Sequence, residues 1–255
     1  MIKLNGGSPI GNEFGRIEEG YSMFYLWGYK TAGIFQSQAE IDAWKTAHPK
    51  GDANIGGYTY HPGDLYFQDV HGNPAAGSKE RYSQLPDSLI NSNDRTYLGK
   101  TIPGYYYGLS LSAEWKGFDL NIFFQGVGDV QKYNAVRSGL EAMSGAANSW
   151  ASTLNRWTST NHSTTMPRAI YGDPAAFNRI SNRYVENASY LRLKNLQLGY
   201  RLPAILLDKT KVARNLRIYV SAVNLFTVTR YKGLDPENDL IPITRQFLVG
   251  VTAGF

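Results

Sequence analysis

The closing residues, Arg245-Gln-Phe-Leu-Val-Gly-Val-Thr-Ala-Gly-Phe255, alternate so strictly that little choice of secondary structure remains. Phe247, Val249, Val251, Ala253 and Phe255 fall on one side, and Gln246, Leu248, Gly250, Thr252 and Gly254 on the other. A period of two with an apolar face opposite a small or polar one is a β-strand, because successive side chains of a strand point to opposite faces. Its length is close to the ~9–11 residues that cross a bilayer at a tilt. A half-buried strand of a soluble sandwich has the same pattern, so this segment alone leaves both open.

The alternation recurs upstream. Tyr105, Tyr107, Leu109, Leu111, Ala113 and Trp115 alternate with Tyr106, Gly108, Ser110, Ser112 and Glu114; beyond Lys116-Gly117, Phe118, Leu120, Ile122 and Phe124 alternate with Asp119, Asn121, Phe123 and Gln125. A two-residue hairpin pairs the residues flanking its turn, so Trp115 and Phe118 should share the face of Leu111 and Ile122. Aromatics at both ends of this apolar band fit the two interfacial girdles of a membrane barrel. In Ser189–Leu202, Leu191 and Leu193 are odd-numbered while Leu196, Leu198, Tyr200 and Leu202 are even. That slip predicts a β-bulge at Lys194-Asn195. Leu216, Ile218, Val220 and Ala222 define a further strand, reached through Pro203–Ala213 with one helical turn at Ala204–Leu207.

The rest is less regular. Gly20–Ile34, rich in aromatics and β-formers, reads as a strand emerging into a loop. Gln36–Lys45 is a short helix, with Ser37 as N-cap and Glu40 completing a capping box. Lys50–Lys100 is turn-rich, Gly126–Ala188 is irregular with a helical stretch expected at Met143–Leu154, and Thr227–Thr244 is an exposed loop. If Phe255 ends on the side of the short turns, the Lys116-Gly117 turn falls on that side and all long connections on the other, the asymmetry of outer-membrane barrels. About six strands are too few to close a barrel, so the chain is expected to be part of something longer.

Composition narrows the classes. Aromatics make up 13%, with 18 tyrosines, and 26 glycines and 11 prolines punctuate the chain, which favours strands and turns. Mean hydropathy is −0.36, and the absence of an uninterrupted apolar run of about 18 residues excludes a helical membrane span while leaving a barrel open. With no cysteine there are no disulfides or thiolate metal sites. Met1–Gly7 lacks the features of a secretory signal, so an exported chain would begin elsewhere.

The net charge of +5 is too mild to call for nucleic acid. Its surplus lies in the last third, where Arg192, Lys194, Arg201, Lys209, Lys211, Arg214, Arg217, Arg230, Lys232 and Arg245 outnumber Asp208, Asp235, Glu237 and Asp239. Dispersed over strands and turns, these cations read as a solvated face.

Little in the sequence suggests catalysis. His48, His61, His71 and His162 lie in expected loops without helical ligand spacing; His61 with Asp64 and His71 with Asp69 read as solvated rather than metal-binding. Gly126-Val-Gly128 lacks the third glycine and following helix of a nucleotide site. No carboxylate pair can be given acid and base roles and no G-x-S-x-G elbow occurs, so neither an enzyme nor a cofactor is expected. Asn161-His-Ser and Asn187-Ala-Ser match a glycosylation sequon without consequence. The loop aromatics Trp44, Tyr58, Tyr60, Tyr66, Trp150, Trp157 and Tyr171 are candidates to stack on sugar faces, the alternative for each being loop packing.

Several separated stretches share one resemblance. Glu186-Asn-Ala-Ser-Tyr-Leu-Arg-Leu-Lys-Asn-Leu-Gln-Leu-Gly-Tyr-Arg-Leu-Pro203, Leu216-Arg-Ile-Tyr-Val-Ser-Ala-Val-Asn-Leu-Phe-Thr227 and Tyr231-Lys-Gly-Leu-Asp-Pro-Glu237 resemble the carboxyl-terminal end of SusC/RagA-type TonB-linked outer-membrane proteins. Gly28-Tyr-Lys-Thr-Ala-Gly-Ile-Phe-Gln-Ser37, Asn93-Asp-Arg-Thr96 and Trp115-Lys-Gly-Phe-Asp-Leu-Asn-Ile-Phe-Phe-Gln-Gly126 resemble its upstream landmarks in the same order. The resemblance implies an all-β fold: residues 1–255 are the last strands and long extracellular loops of a large antiparallel transmembrane barrel, without plug domain or earlier strands. It implies import of glycans or peptides with a SusD-like surface lipoprotein, energised by TonB through the absent plug. It also implies a barrel-assembly signal at Phe247, Val249, Val251 and Phe255. Asp69-Val-His-Gly-Asn-Pro-Ala-Ala-Gly77 departs from the family's calcium-like loop, because His71 and Pro74 replace a ligand and a turn glycine, so no bound metal is expected there. The competing expectation is a soluble β-sandwich carbohydrate-binding or adhesin module.

Overall fold

Five long strands form one antiparallel sheet: β1 (Tyr105–Trp115), β2 (Phe118–Gly128), β3 (Tyr190–Arg201), β4 (Asn215–Thr229) and β5 (Gln246–Gly254). Their spatial order is their chain order, so each strand pairs with its predecessor and β1 and β5 remain as edges. The computed structural model describes residues 10–11, 15–78, 82–208, 214–238 and 241–254. Met1–Gly7, Lys209, Lys211, Asp239 and Phe255 lie outside them.

The hairpin forms as the alternation requires, with Trp115 opposite Phe118 and Leu111 opposite Ile122. Its turn needs positive φ at both central residues, and Lys116 (47°) and Gly117 (87°) supply it. A β-carbon at Gly117 would also lie 2.9 Å from the Arg201 carbonyl oxygen.

The bulge falls where the leucines slip. Phe123 pairs with Asn195 and Phe124 with Leu193, which leaves Lys194 as the extra residue. On the other side of β3, Leu193 pairs with Phe226 and Asn195 with Val223, so Asn224 and Leu225 face Lys194 alone. Asn224 takes φ +54°, an irregularity with no counterpart in the sequence pattern. The helical turn after Pro203 is present as Ala204–Asp208.

These strands belong to one of two units, Pro103–Val130 with Asn187–Phe255; the other is Met1–Ile102 with Gln131–Glu186. Five strands, rather than about six, join the long sheet. The Gly20–Ile34 stretch instead splits into Tyr25–Gly28 and Thr31–Ile34 within the second unit. There Tyr25–Gly28 sits in a four-stranded sheet with Ile10–Gly11, Gly15–Ile17 and Thr96–Gly99.

Lys50–Lys100 is not a structureless loop. Leu65–Phe67 pairs with Thr31–Ile34, and Gly51–Asp52 runs parallel to Leu89–Ile90. Tyr29, Ile34, Leu65, Phe67, Ile90, Ala175 and Phe177 bury one core, and Phe35, Ile41 and Tyr60 a second.

The helix runs Gln38–Ala47 with Ser37 as N-cap, its hydroxyl accepting from the Glu40 N–H. The Glu40 carboxylate accepts from the Gln36 N–H at 2.7 Å, so only the Ser37 half of the expected capping box forms. Met143–Leu154 is not a helix; a 3-10 turn covers Ala151–Asn155 and a short helix occupies Ala135–Leu140. Ser144-Gly145 lies where that helix would have to nucleate, and glycine there costs about 1 kcal/mol against alanine. The strands overrun the expected loops, β2 to Gly128 and β4 to Thr229.

Candidate functional site

The pairing register gives the long sheet two unlike faces. One carries Leu109, Leu111, Ala113 and Trp115 on β1, then Phe118, Leu120, Ile122 and Phe124 on β2. It continues through Leu193, Leu196, Leu198 and Tyr200 on β3, Ile218, Val220, Ala222 and Phe226 on β4, and Phe247, Val249 and Val251 on β5. Much of this face is exposed, as at Val249 (78%) and Val220 (49%), far from the burial such residues find in a soluble core. Aromatic rings mark its ends: Tyr105 and Tyr107 at one, Trp115, Phe118 and Tyr200 at the other, where Phe118 and Tyr200 have ring centroids 4.6 Å apart.

The opposite face is polar and cross-linked. Ser112 donates to Asn121 Oδ1 (2.8 Å) and Ser221 to Asn195 Oδ1 (3.3 Å). The Arg217 guanidinium donates twice to Asp119, Nε to Oδ2 at 2.8 Å and Nη2 to Oδ1 at 2.5 Å, and reaches Gln197 at 3.3 Å. That bridge passes over Gly199, where a β-carbon would come within 2.5 Å of Arg217 Nη2. Near the other end Arg192 is 1% exposed; its Nε donates to Thr227 Oγ1 (2.8 Å), Nη2 to Asp235 (2.6 Å) and Nη1 to Glu237. Glu237 also accepts from the Tyr190 hydroxyl. Arg192 and Arg217 are therefore engaged in fixed pairs and are not part of a solvated basic face.

The unit built around the short sheets places the loop aromatics. Tyr60 is buried, and Trp44, Tyr58 and Tyr66 pack round the same cluster, with Tyr66 stacked on Phe35 at 4.0 Å and Trp44 edge-on to Tyr60 at 5.2 Å. Trp157 stacks on His162 (5.3 Å) and donates to Gln36 Oε1 (3.1 Å); Trp150 is half-buried before its 3-10 turn. Only Tyr171 of the seven stands fully in solvent, at 86%.

The histidines and their neighbours form structural ties. Asp64 is fully buried and accepts from Arg168 Nε (2.5 Å), the Tyr58 hydroxyl (2.9 Å) and the His61 N–H (2.8 Å). Burial, then the adjacent Asp64 charge, pushes the Tyr58 phenol up to about 12. His71 is buried against Tyr82 (4.2 Å) rather than solvated, while His61 is exposed. The Asp69 carboxylate accepts the N–H groups of Asp87 (3.3 Å) and Ser88 (2.6 Å). Gly126 and Gly128 lie in β2, in close approach to the rings of Tyr107 and Tyr105.

No protein-family model matches the chain. TonB-dependent receptor P3 of Formosa agariphila is 35% identical over 223 residues, which cover 87% of this chain and 19% of that protein. TonB-dependent receptor SusC of Bacteroides thetaiotaomicron is 28% identical over 176 residues, 66% of this chain and 17% of that one. The RagAB peptide transporter and the RagAB peptide importer in its closed-closed state superpose with TM-scores of 0.71 and 0.72 at 27% identity, covering 96% of this chain and 24% of theirs. The chain belongs to the SusC/RagA-type TonB-dependent receptors. It is an outer-membrane protein of Gram-negative type and spans about a fifth of the length of the curated relatives it matches.

Within this TonB-dependent receptor the separated motifs meet in space. Arg192 comes from the Glu186–Pro203 stretch, Thr227 from Leu216–Thr227, and Asp235 and Glu237 from Tyr231–Glu237; one guanidinium joins all three. From Phe118 to Phe124 and from Ile218 to Val223 the register gives the receptor's apolar and polar residues opposite faces, apart from Phe123, Tyr219 and Val223. Sequence reasoning missed a layer of rings in the other unit, Tyr21, Tyr25 and Tyr97, because Tyr97 lies in a stretch read as loop.

Proposed function

We propose that the chain is the carboxyl-terminal wall and outer loops of a barrel that imports glycans, oligosaccharides or peptides. A SusD-like lipoprotein is its surface lid, and TonB, acting on a plug outside this chain, supplies the energy. The observation that carries this reading is the exposed apolar face of the five paired strands, backed by a polar one. Lipid satisfies the first and an aqueous lumen the second. A soluble sandwich, the competing reading, buries its apolar face against another layer.

In this reading the Lys116-Gly117 turn and the 202–214 connection face the periplasm. The connections 129–189 and 230–245, at the other ends of the antiparallel strands, line the mouth. Tyr171, Trp150 and Trp157, with the open edges of Trp44, Tyr58 and Tyr66, offer cargo an aromatic surface, and Tyr60 supports it from within. Phe247, Val249 and Val251 of β5, with Phe255 as the next aromatic in the sequence pattern, are the signal that assembly machinery reads; deleting Phe255 should lower outer-membrane yield, and an unchanged yield excludes that role.

The decisive experiment purifies the tagged full-length receptor from detergent-solubilised membranes. The reading predicts a heat-modifiable protein in the outer-membrane fraction that co-elutes with a surface lipoprotein and takes up cargo only when TonB is present. Recovery as a soluble periplasmic protein would sink it.

A further inference from the structure

The sheet that contains Tyr25–Gly28 carries an ordered ring layer on one face. Tyr25 is fully buried; Tyr21 lies over it with centroids 4.7 Å and planes 29° apart, and Tyr97 beside it at 5.5 Å and 34°. Tyr21 and Tyr97 are 5.7 Å apart at 31°, so the three rings form one contiguous cluster in which each is tilted by about 30° to the others. The outer two remain open, Tyr21 at 51% and Tyr97 at 37% exposure. Phe24, next to them in the chain, holds a φ of +52°, and its carbonyl accepts from the Thr101 hydroxyl at 3.0 Å.

A carboxylate is fixed at the edge of this layer. Glu18 Oε2 accepts from the Tyr25 hydroxyl at 2.6 Å and lies 3.5 Å from Arg16 Nε; the Arg16 guanidinium rests 4.1 Å above the Trp27 ring. Glu18 Oε1 has no hydrogen-bond donor among the described residues. Buried Tyr25 thus both supports the two open rings and orients an acceptor beside them.

We propose that Tyr21, Tyr97 and Glu18 form a stacking subsite for a neutral pyranose ring of an oligosaccharide, an inference that rests on the importer reading and selects glycan as its cargo. A pyranose has an apolar C–H face rimmed by hydroxyl donors. The tyrosine faces take the first, and Glu18 Oε1 accepts from the second. An acyl chain would strip water from Glu18 without replacing its hydrogen bonds. A basic peptide side chain would meet a carboxylate already balanced by Arg16, which disfavours a cation relative to a neutral donor. The subsite is distinct from the aromatics grouped around Phe35, whose rings mainly pack on one another.

The test is calorimetric titration of the purified full-length receptor with neutral hexasaccharides of glucose, mannose and xylose, and in parallel with a tryptic casein digest. At least one hexasaccharide should bind. Tyr21→Ala and Tyr97→Ala should each weaken it about threefold to tenfold, while Tyr21→Phe and Tyr97→Phe, which keep the ring, stay close to the parent. Heat-modifiability of each variant confirms that it is folded. Binding of a hexasaccharide with unchanged affinity in Tyr21→Ala and Tyr97→Ala overturns the subsite. Binding of the digest alone, or of no probe, overturns the choice of a neutral glycan. TonB-dependent uptake by the parent, measured separately, tells failure of this inference from failure of the importer reading.

Discussion

Val220 and Ser221 are neighbours on β4 that face opposite ways, and arginine at each separates a membrane wall from a soluble sheet. Val220 pairs with Leu198 and Val249, and Ser221 with Gln197 and Leu248. Val220 is five residues beyond the Asn215 start of the strand, roughly 17 Å along it and, at a tilt near 45°, about 12 Å in depth. The apolar band of a barrel is about 25 Å tall, so Val220 lies near its middle, where an outward arginine costs about 2–4 kcal/mol. Ser221→Arg places the same charge in water and gives up one 3.3 Å hydrogen bond, a loss of about 1 kcal/mol or less. If Val220, half exposed, were on the surface of a soluble module, Val220→Arg would change stability by no more than about 0.5 kcal/mol. The assay is urea unfolding of the full-length receptor refolded in lipid vesicles, read by heat-modifiability. Equal stability of Val220→Arg and the parent, or equal damage from the two arginines, refutes the assignment of faces.

Three further outcomes test the parts. The double substitution Asp235→Ala with Glu237→Ala leaves the buried Arg192 cation unpaired, at a cost of about 3–5 kcal/mol, and limited proteolysis should then cut within 231–238; an unaltered digestion pattern removes the clamp. Deleting Lys194 removes the bulge residue, so Leu191 and Leu193 or their partners must turn to the wrong face, and outer-membrane yield should fall at least tenfold; parent-like yield means the bulge is dispensable. The Tyr58 phenol titrates at about 12 in the folded state against 10.0 when unfolded. The neutral form is favoured by folding, so its contribution is complete below pH 10 and is lost as pH rises towards 12. Parent and Tyr58→Phe should therefore lose stability differently between pH 10 and 12, and parallel alkaline unfolding curves would exclude the shift.

How much of this was readable depended on whether a residue's neighbours in space were also its neighbours in pattern. The β1–β2 hairpin was legible because strand periodicity and a two-residue turn are local, and the leucine slip located Lys194 for the same reason. The unit holding Tyr60 was not legible. One of its cores joins Phe35 and Tyr60, from irregular backbone, to Ile41 of the helix, and in the other Ala175 and Phe177 arrive from far along the chain, so no single period marks them. The aromatics proposed for sugar contact were chosen by residue type in expected loops, and several of those rings proved to be the packing of that core.

Arg192 shows where a signal was present but unread. Counted among dispersed cations it looked solvated, and its carboxylate partners lie 43 and 45 residues later. Yet it sits between Leu191 and Leu193, immediately before the slip. If both leucines belong to the apolar face, the arginine between them must cross to the polar face, where Asp235 and Glu237 can meet it. The bulge is what makes that consistent with Leu196 and Leu198 further along, because it changes the parity after Arg192. Asp235 and Glu237, in the loop that follows β4, are carboxylates that reach the same strand ends. The same parity that revealed the bulge therefore also placed Arg192 on the polar face, where Thr227, Asp235 and Glu237 hold it buried.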